Sequence, residues 1–302
     1  MKAVRAYAVA LLLLSGLCCA GEIANYPNGI EGIKAASVPP PGWYWRNYNF
    51  WYHSDTMRDA DGDKVDIDFK LDLVASIQRF LFVTDKTQKA IGAHYAAHIC
   101  IPLIYADLEI GRMDVDDSRY RVGDIDLAPL IFAWHKPRFD LVTFYDVCIP
   151  VGDVHNGEAA TTVIGREYWT HQLNFGGTGY LDKEKEWSFS MLMRYEIHSG
   201  KKNAHLRPGD QFHFEWGLGK AFPKHNLEVG LAGYCSWQTT ADTGKATKCV
   251  PDERDRVFAV GPEFNYFIKP VALAINLRYE KEFCARDRPE GHMTTLTLTK
   301  KF

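Results

Sequence analysis

The chain has 302 residues, 46% hydrophobic and 13% aromatic, with 24 Gly and a formal net charge of −3. Such a weak charge excludes the basic footprint of a nucleic-acid binder, and a mean hydropathy of −0.24 excludes a bundle of membrane-spanning helices. Many aromatics and many glycines together suit numerous short strands joined by turns.

Residues 1–20 read as an export signal. Lys2 and Arg5 make a positive start, 6–17 form an apolar core too short to span a bilayer, and Cys18-Cys19-Ala20 places cleavage after Ala20. A lipoprotein site at Cys18 or Cys19 fits less well, because Ser15-Gly16-Leu17 and Gly16-Leu17-Cys18 depart from a lipobox. Beyond Ala20 no apolar run reaches the ~20 residues of a membrane helix, so any span must be built from strands. Residues 21–41 are polar and turn-rich, end in Pro39-Pro40-Pro41, and read as a periplasmic extension or a small plug. Residues 42–302 read as one domain.

Within that domain, 42–53 carries aromatics on both faces. The acidic segment 55–63 resembles a calcium loop through Asp59, Asp61 and Asp63, but Gly62 misses the sixth position and no Glu closes it. A solvated loop is the plainer reading. In 64–84, Ile67, Phe69, Leu71, Leu73 and Ile77 alternate with Asp66, Asp68, Lys70 and Asp72, followed by Ser76 and Gln78. Period-two alternation means strand, and charges do not sit in a dry core, so the charged face is assigned to a wet lumen. Residues 90–110 set Tyr95, Ile99, Ile101 and Leu103 against His94 and His98, and a short acidic loop, 114–118, follows.

Strands are predicted at 120–134, 138–151, 166–181 and 186–199; in the last, Trp187, Phe189 and Met191 oppose Arg194, Glu196 and His198. A hairpin, 210–222 with 226–237, sets Phe212, Phe214 and Trp216 against His213 and Glu215. The tail supplies three more strands, with Phe264, Leu277 and Leu296 on one face and Glu263, Arg278, Glu280 and Glu282 on the other. Connections alternate by length, short at 85–89, 135–137, 182–185, 223–225 and 269–270, long at 54–63, 111–118, 152–165, 200–209, 238–253 and 284–290. A soluble sandwich has no reason to sort its loops so. The pattern predicts an all-β fold: a transmembrane antiparallel up-and-down β-barrel of about 12 strands, with short periplasmic turns and long external loops. The terminal Phe302 is read as the contact for the barrel-assembly machinery, and membrane lipid as the partner of the apolar face.

Five cysteines remain after cleavage, an odd number that leaves a thiol free. Cys100 and Cys148 read as small packing residues. Cys235 and Cys249 flank a segment that a disulfide could close, with Cys284 competing as partner. No metal and no cofactor is assigned: there is no CxxC pair, and His94 and His98 stand about 13 Å apart along one strand face. No Gly-x-Ser-x-Gly elbow, His-Glu-x-x-His or P-loop is present, so the chain reads as a non-enzyme.

Several short motifs, Pro39-Pro40-Pro41-Gly42-x-Tyr44, Gly92-x-His94-Tyr95, Gly165-Arg166-x-Tyr168-Trp169, Gly261-Pro262, Tyr279-x-Lys281-Glu282-Phe283 and Arg288-Pro289-Glu290-Gly291, run in an order and spacing that resembles the phenol meta-pathway degradation family. The likeness covers nearly the whole mature chain. It implies an outer-membrane barrel, encoded near aromatic-degradation genes, that helps take up small hydrophobic or aromatic compounds. It brings no catalytic residues. The five mature cysteines and the basic segment 200–209 depart from the family. Read from the residues alone, the mixed charges of the lumen either pass small polar solutes or pair with one another and seal it. An apolar solute needs an apolar pocket or a side exit. A general small-solute porin and a non-transporting structural or binding barrel remain the alternatives.

Overall fold

The computed structural model describes residues 24–152, 165–201, 205–244 and 254–302. The predicted export signal and Cys249, one half of the suggested disulfide, lie outside them. Twelve antiparallel strands form the wall: β1 (Gly42–Ser54), β2 (Phe69–Thr84), β3 (His94–Ile110), β4 (Ile125–His135), β5 (Phe139–Ile149), β6 (Thr170–Tyr180), β7 (Trp187–His198), β8 (Gln211–Phe222), β9 (Leu227–Gln238), β10 (Arg256–Ile268), β11 (Leu273–Arg286) and β12 (His292–Lys301). Each pairs with its sequence neighbours, and β1 closes on β12 through Tyr44↔Lys301 to His53↔His292. Closure leaves no edge in the ring, as a strand-built membrane span requires.

Period two decides which side chains meet lipid. Trp43, Phe175, Leu231, Phe264 and Leu277 are all exposed on the outer face. Such a continuous exposed apolar surface would be an aggregation hazard in water; around a barrel it is the lipid-facing band. Two-residue steps then bury Thr170 to Thr178 on β6 and Ser188 to His198 on β7 inside.

Several features depart from a regular wall. A bulge in β4 sets Ala128 and Pro129 against one residue of β5, between Leu127↔Val147 and Leu130↔Tyr145. Proline, lacking an N–H, is at home there, and Tyr95 Oη donates to its carbonyl at 2.7 Å. Beyond the barrel rim β2 and β3 continue outward as a pair, and β3 takes on a further strand, Val115–Val122. The acidic loop expected at 114–118 is thus largely strand, because its alternating charges lie on a ribbon standing in water. Finally, the last external connection is only 287–291, since β11 runs on to Arg286. A small sheet of Met57–Arg58, Lys64–Val65 and Arg288–Pro289 lies beside it.

The assignment of Asp66, Asp68, Lys70 and Asp72 to the lumen is corrected by β2. Its inner face is the apolar one: Leu71, Ala75, Ile77, Leu81 and Val83 are buried, while Asp66, Asp68 and Lys70 are exposed. Lys70 pairs with Glu109 at 2.7 Å, Asp72 with His53 at 2.8 Å, and Asp66 with Arg112. These charges occupy the part of the ribbon that stands in water, so no lumen is needed to hydrate them. Lower on the same outer face, Asn47, Asn49, Ser76 and Gln78 bond one another, with Trp45 Nε1 donating to Gln78 at 2.8 Å. Polar groups facing hydrocarbon must find partners within the protein, and these do.

Candidate functional site

Residues 24–41 have no periodicity to bury, yet they occupy the barrel interior, where Tyr26, Ile30, Glu31, Ile33 and Ala36 are buried. Their backbone is held chiefly by carboxylates from the wall. Glu196 accepts the N–H groups of Asn25 and Tyr26 at 3.1 and 2.9 Å. Glu215 accepts those of Gly29 and Glu31 at 3.0 and 3.2 Å and the Tyr26 hydroxyl at 2.7 Å. Glu263 accepts from Ile33 at 2.9 Å, and Arg278 donates to the Gly29 carbonyl. Charge-assisted bonds of this kind are about twice as strong as neutral ones. The chain also passes close to the wall at Gly217, where a Cβ would stand 2.6 Å from the Ile33 Cα.

Side chains add to the grip. His213 Nδ1 meets Asn28 Oδ1 at 2.7 Å, Lys34 reaches Glu228 at 2.6 Å, and Ser37 donates to Asp140 at 2.8 Å. The Arg194 guanidinium lies 3.6 Å from the centroid of the Tyr26 ring, a cation–π contact. Glu31 is the segment's own buried charge: Tyr48 donates to it at 2.7 Å, and Arg79 and Arg46 each reach it at 3.1 Å. Burial pushes its carboxyl up, but the two guanidiniums and the hydroxyl outweigh this and hold it below the ordinary range. A depressed value means stability present above the unfolded glutamate pKa of about 4.3 and lost as pH falls through the lower, folded value. Protease resistance of residues 24–41 should therefore hold at neutral pH and fade in acid, and Glu31→Gln should flatten that dependence.

Of the residues assigned to the lumen from sequence, the structure places Arg194, Glu196, His213, Glu215, Glu263, Arg278, Glu280 and Glu282 in the buried interior. Arg278 lies 3.3 Å from Glu263 and 3.1 Å from Glu280. Glu282 accepts from the Tyr52 and Tyr234 hydroxyls, both at 2.8 Å. His98 is buried, with Arg79 at 2.9 Å and Asp126 at 3.1 Å. His94 is not brought to it; its ring lies 5.1 Å from that of His135. Cys235 is a free, half-buried thiol on β9.

The interior is two-sided. From β6 to β12 it is polar and filled by the inserted segment. Against β1 to β5 a cavity of about 320 Å³ remains. Leu73, Ile77, Leu81, Ile104, Ile131 and Val142 line it, with Arg79, His98, Asp126, Asp146 and Arg194 along its polar side. Asp146 accepts from Arg194 at 3.1 Å through one oxygen, while its buried Oδ1 has no partner. Arg46, Tyr48 and Arg79 are not among the lumen residues expected from sequence, and residues 24–41, which read as a periplasmic extension or a small plug, give no hint of which wall groups hold them. The segment's only signal is one glutamate, Glu31, in a stretch otherwise without pattern.

This architecture is found in solved structures. The chain is similar to the COG4313 outer membrane channel from Pseudomonas putida F1, with a TM-score of 0.75, 15% identity, and coverage of 92% of this chain and 99% of that one. It is similar to a lesser degree to the translocator domain of the autotransporter NalP from Neisseria meningitidis, with a TM-score of 0.53, 9% identity, and coverage of 88% and 91%. At these identities the likeness establishes the fold, a transmembrane β-barrel. No curated protein matches the chain in sequence. A family model does match, over residues 54–298, and it is described as "Putative MetA-pathway of phenol degradation". With most of the barrel under that match, and with the twelve-stranded wall it wraps, the chain belongs to this family.

Proposed function

We propose that the protein is an outer-membrane channel that lets small hydrophobic or aromatic compounds across. The observation that carries this reading is the apolar cavity between the inserted segment and the β1–β5 wall. Pockets for small molecules are mostly apolar with a few placed polar groups and begin at about 300 Å³; an apolar cavity of about 150 Å³ already holds benzene. The Leu73, Ile77 and Leu81 wall suits a ring, and the polar side formed by Arg79, His98 and Asp126 suits a hydroxyl on it. The family description and the channel among the similar structures agree with this reading. Residues 1–20 would direct export, and the exposed terminal Phe302 would meet the assembly machinery.

The test is uptake of labelled phenol, benzoate and toluene by cells with and without the gene. Ile77→Asp places a carboxylate in the cavity wall and should cost an apolar solute about 1–2 kcal/mol, or roughly 5–30-fold in occupancy. A matching fall in uptake, with the folded barrel still in the outer membrane, is expected; uptake indifferent to the gene removes the reading. A general porin is the weaker alternative, because the inserted segment fills the polar half of the lumen that a hydrated solute would use.

A further inference from the structure

Two thiols that solute passage does not use sit in the wall of the same cavity. Cys100 on β3 is the register partner of Asp126 on β4, and Asp126 is in turn the partner of Cys148 on β5. One row thus crosses three strands. His98 lies two residues before Cys100 on the same inner face. The ligand atoms of His98, Cys100 and Asp126 all fall within 4.8 Å of one another. The Cys148 thiol stands outside that group but donates to Asp126 Oδ1 at 3.7 Å, so that a turn of its side chain would bring in a fourth donor. Both thiols are free, and all four residues face the cavity.

A disulfide cannot join them. Two strand spacings set their Cα atoms roughly 9–10 Å apart, beyond the ~7 Å a disulfide can bridge. A metal ion adds two bonds between the sulfurs and reaches where a disulfide does not. We propose that His98, Cys100, Asp126 and Cys148 form a four-donor site for a thiophilic divalent cation of the zinc class. One imidazole, two sulfurs and one carboxylate match the tetrahedral preference of that ion, with bonds of about 2.0–2.3 Å; calcium and magnesium demand oxygen donors and do not fit. Binding replaces two thiol protons with one dication, the protons leaving to water. The charge of the cavity is then unchanged, and Arg79, Arg194, Asp146 and Glu196 around it keep their balance. Arg79 Nη2 now faces His98 Nδ1 at 2.9 Å. With the metal on Nε2 that nitrogen carries the proton, and the guanidinium turns to Glu31 and Tyr48, which its other nitrogen already holds. The ion would pin β3, β4 and β5 together beside the β4 bulge, whatever solute the channel carries.

The experiment uses the mature barrel in detergent, stripped with a chelator and titrated with cobalt(II), then zinc. One cobalt per chain is expected, with thiolate charge-transfer bands and tetrahedral visible absorption, displaced by stoichiometric zinc. Removing an outer partner of a metal site costs about 10–100-fold in affinity, so Cys100→Ser with Cys148→Ser should cost at least that. Cys235→Ser with Cys284→Ser should change nothing. Heat-modifiable migration verifies that each variant is a folded barrel, and Asp126→Asn, which keeps both thiols, serves if the double serine variant does not fold. A folded wild-type barrel that takes up no stoichiometric metal at micromolar concentration overturns the site. So does undiminished affinity in both the double serine variant and Asp126→Asn, which would mark adventitious surface binding.

Discussion

Deleting residues 24–38 should turn a nearly silent barrel into a steadily conducting one, with single-channel current rising about tenfold, since a wide barrel freed of its filling becomes an aqueous channel. The barrel itself does not need the segment, because its twelve strands close through their own ladders, β1 on β12 included. What the segment supplies is filling. Its backbone occupies the carboxylates of Glu196, Glu215 and Glu263 and the guanidinium of Arg278. Once it is gone, these charges face water and line an open lumen. Planar-bilayer recordings of intact and shortened protein check the result. If the shortened barrel stays silent, the wall charges have closed on one another, and the block belongs to the wall rather than to the inserted segment.

The contrast between the two halves of the barrel explains what the sequence made legible. In β10 and β11 the lipid face is large and apolar while the inner face carries charges, so alternation alone assigns Glu263, Arg278 and Glu280 inward. In β2 both faces are partly apolar, because the inner one lines the cavity and the outer one meets lipid. The charges that seemed to decide the matter, Asp66 to Asp72, stand on the ribbon in water and report nothing about the lumen. Alternation gives the period of a strand but not its sign, and only pairing with β1, Tyr48↔Ile77 and Arg46↔Arg79 among others, fixes it. A small plug is one of the two readings of residues 21–41, but how it is held was hidden for a different reason. It is gripped largely through its backbone N–H groups, and hydrogen bonds to backbone leave little mark on the side chains that accept them. The grouping of His98, Cys100 and Asp126, with Cys148 next in the row, depends on register across three strands and on the bulge at Ala128 and Pro129, neither of which a linear reading contains.

Arg278→Ala should be the most destabilising single substitution in the wall, by about 3–5 kcal/mol, the cost of leaving buried charges without their partner. Arg278 is 2% exposed and stands between two carboxylates, Glu263 at 3.3 Å and Glu280 at 3.1 Å. Truncation strips both buried carboxyls of their shared partner and frees the Gly29 carbonyl as well. Guanidinium unfolding of the barrel in micelles measures the loss, and adding Glu280→Gln should recover part of it by removing one of the carboxyls left without its partner. The same substitution made in the shortened barrel separates two accounts of the site. Water admitted by the deletion hydrates Glu263 and Glu280, and an exposed ion pair is worth only about 0–1 kcal/mol. The two changes should therefore be strongly non-additive, as groups sharing one network are. If Arg278→Ala costs the same with and without residues 24–38, the pair is dry for reasons internal to the wall, and the inserted segment neither shields nor tightens it.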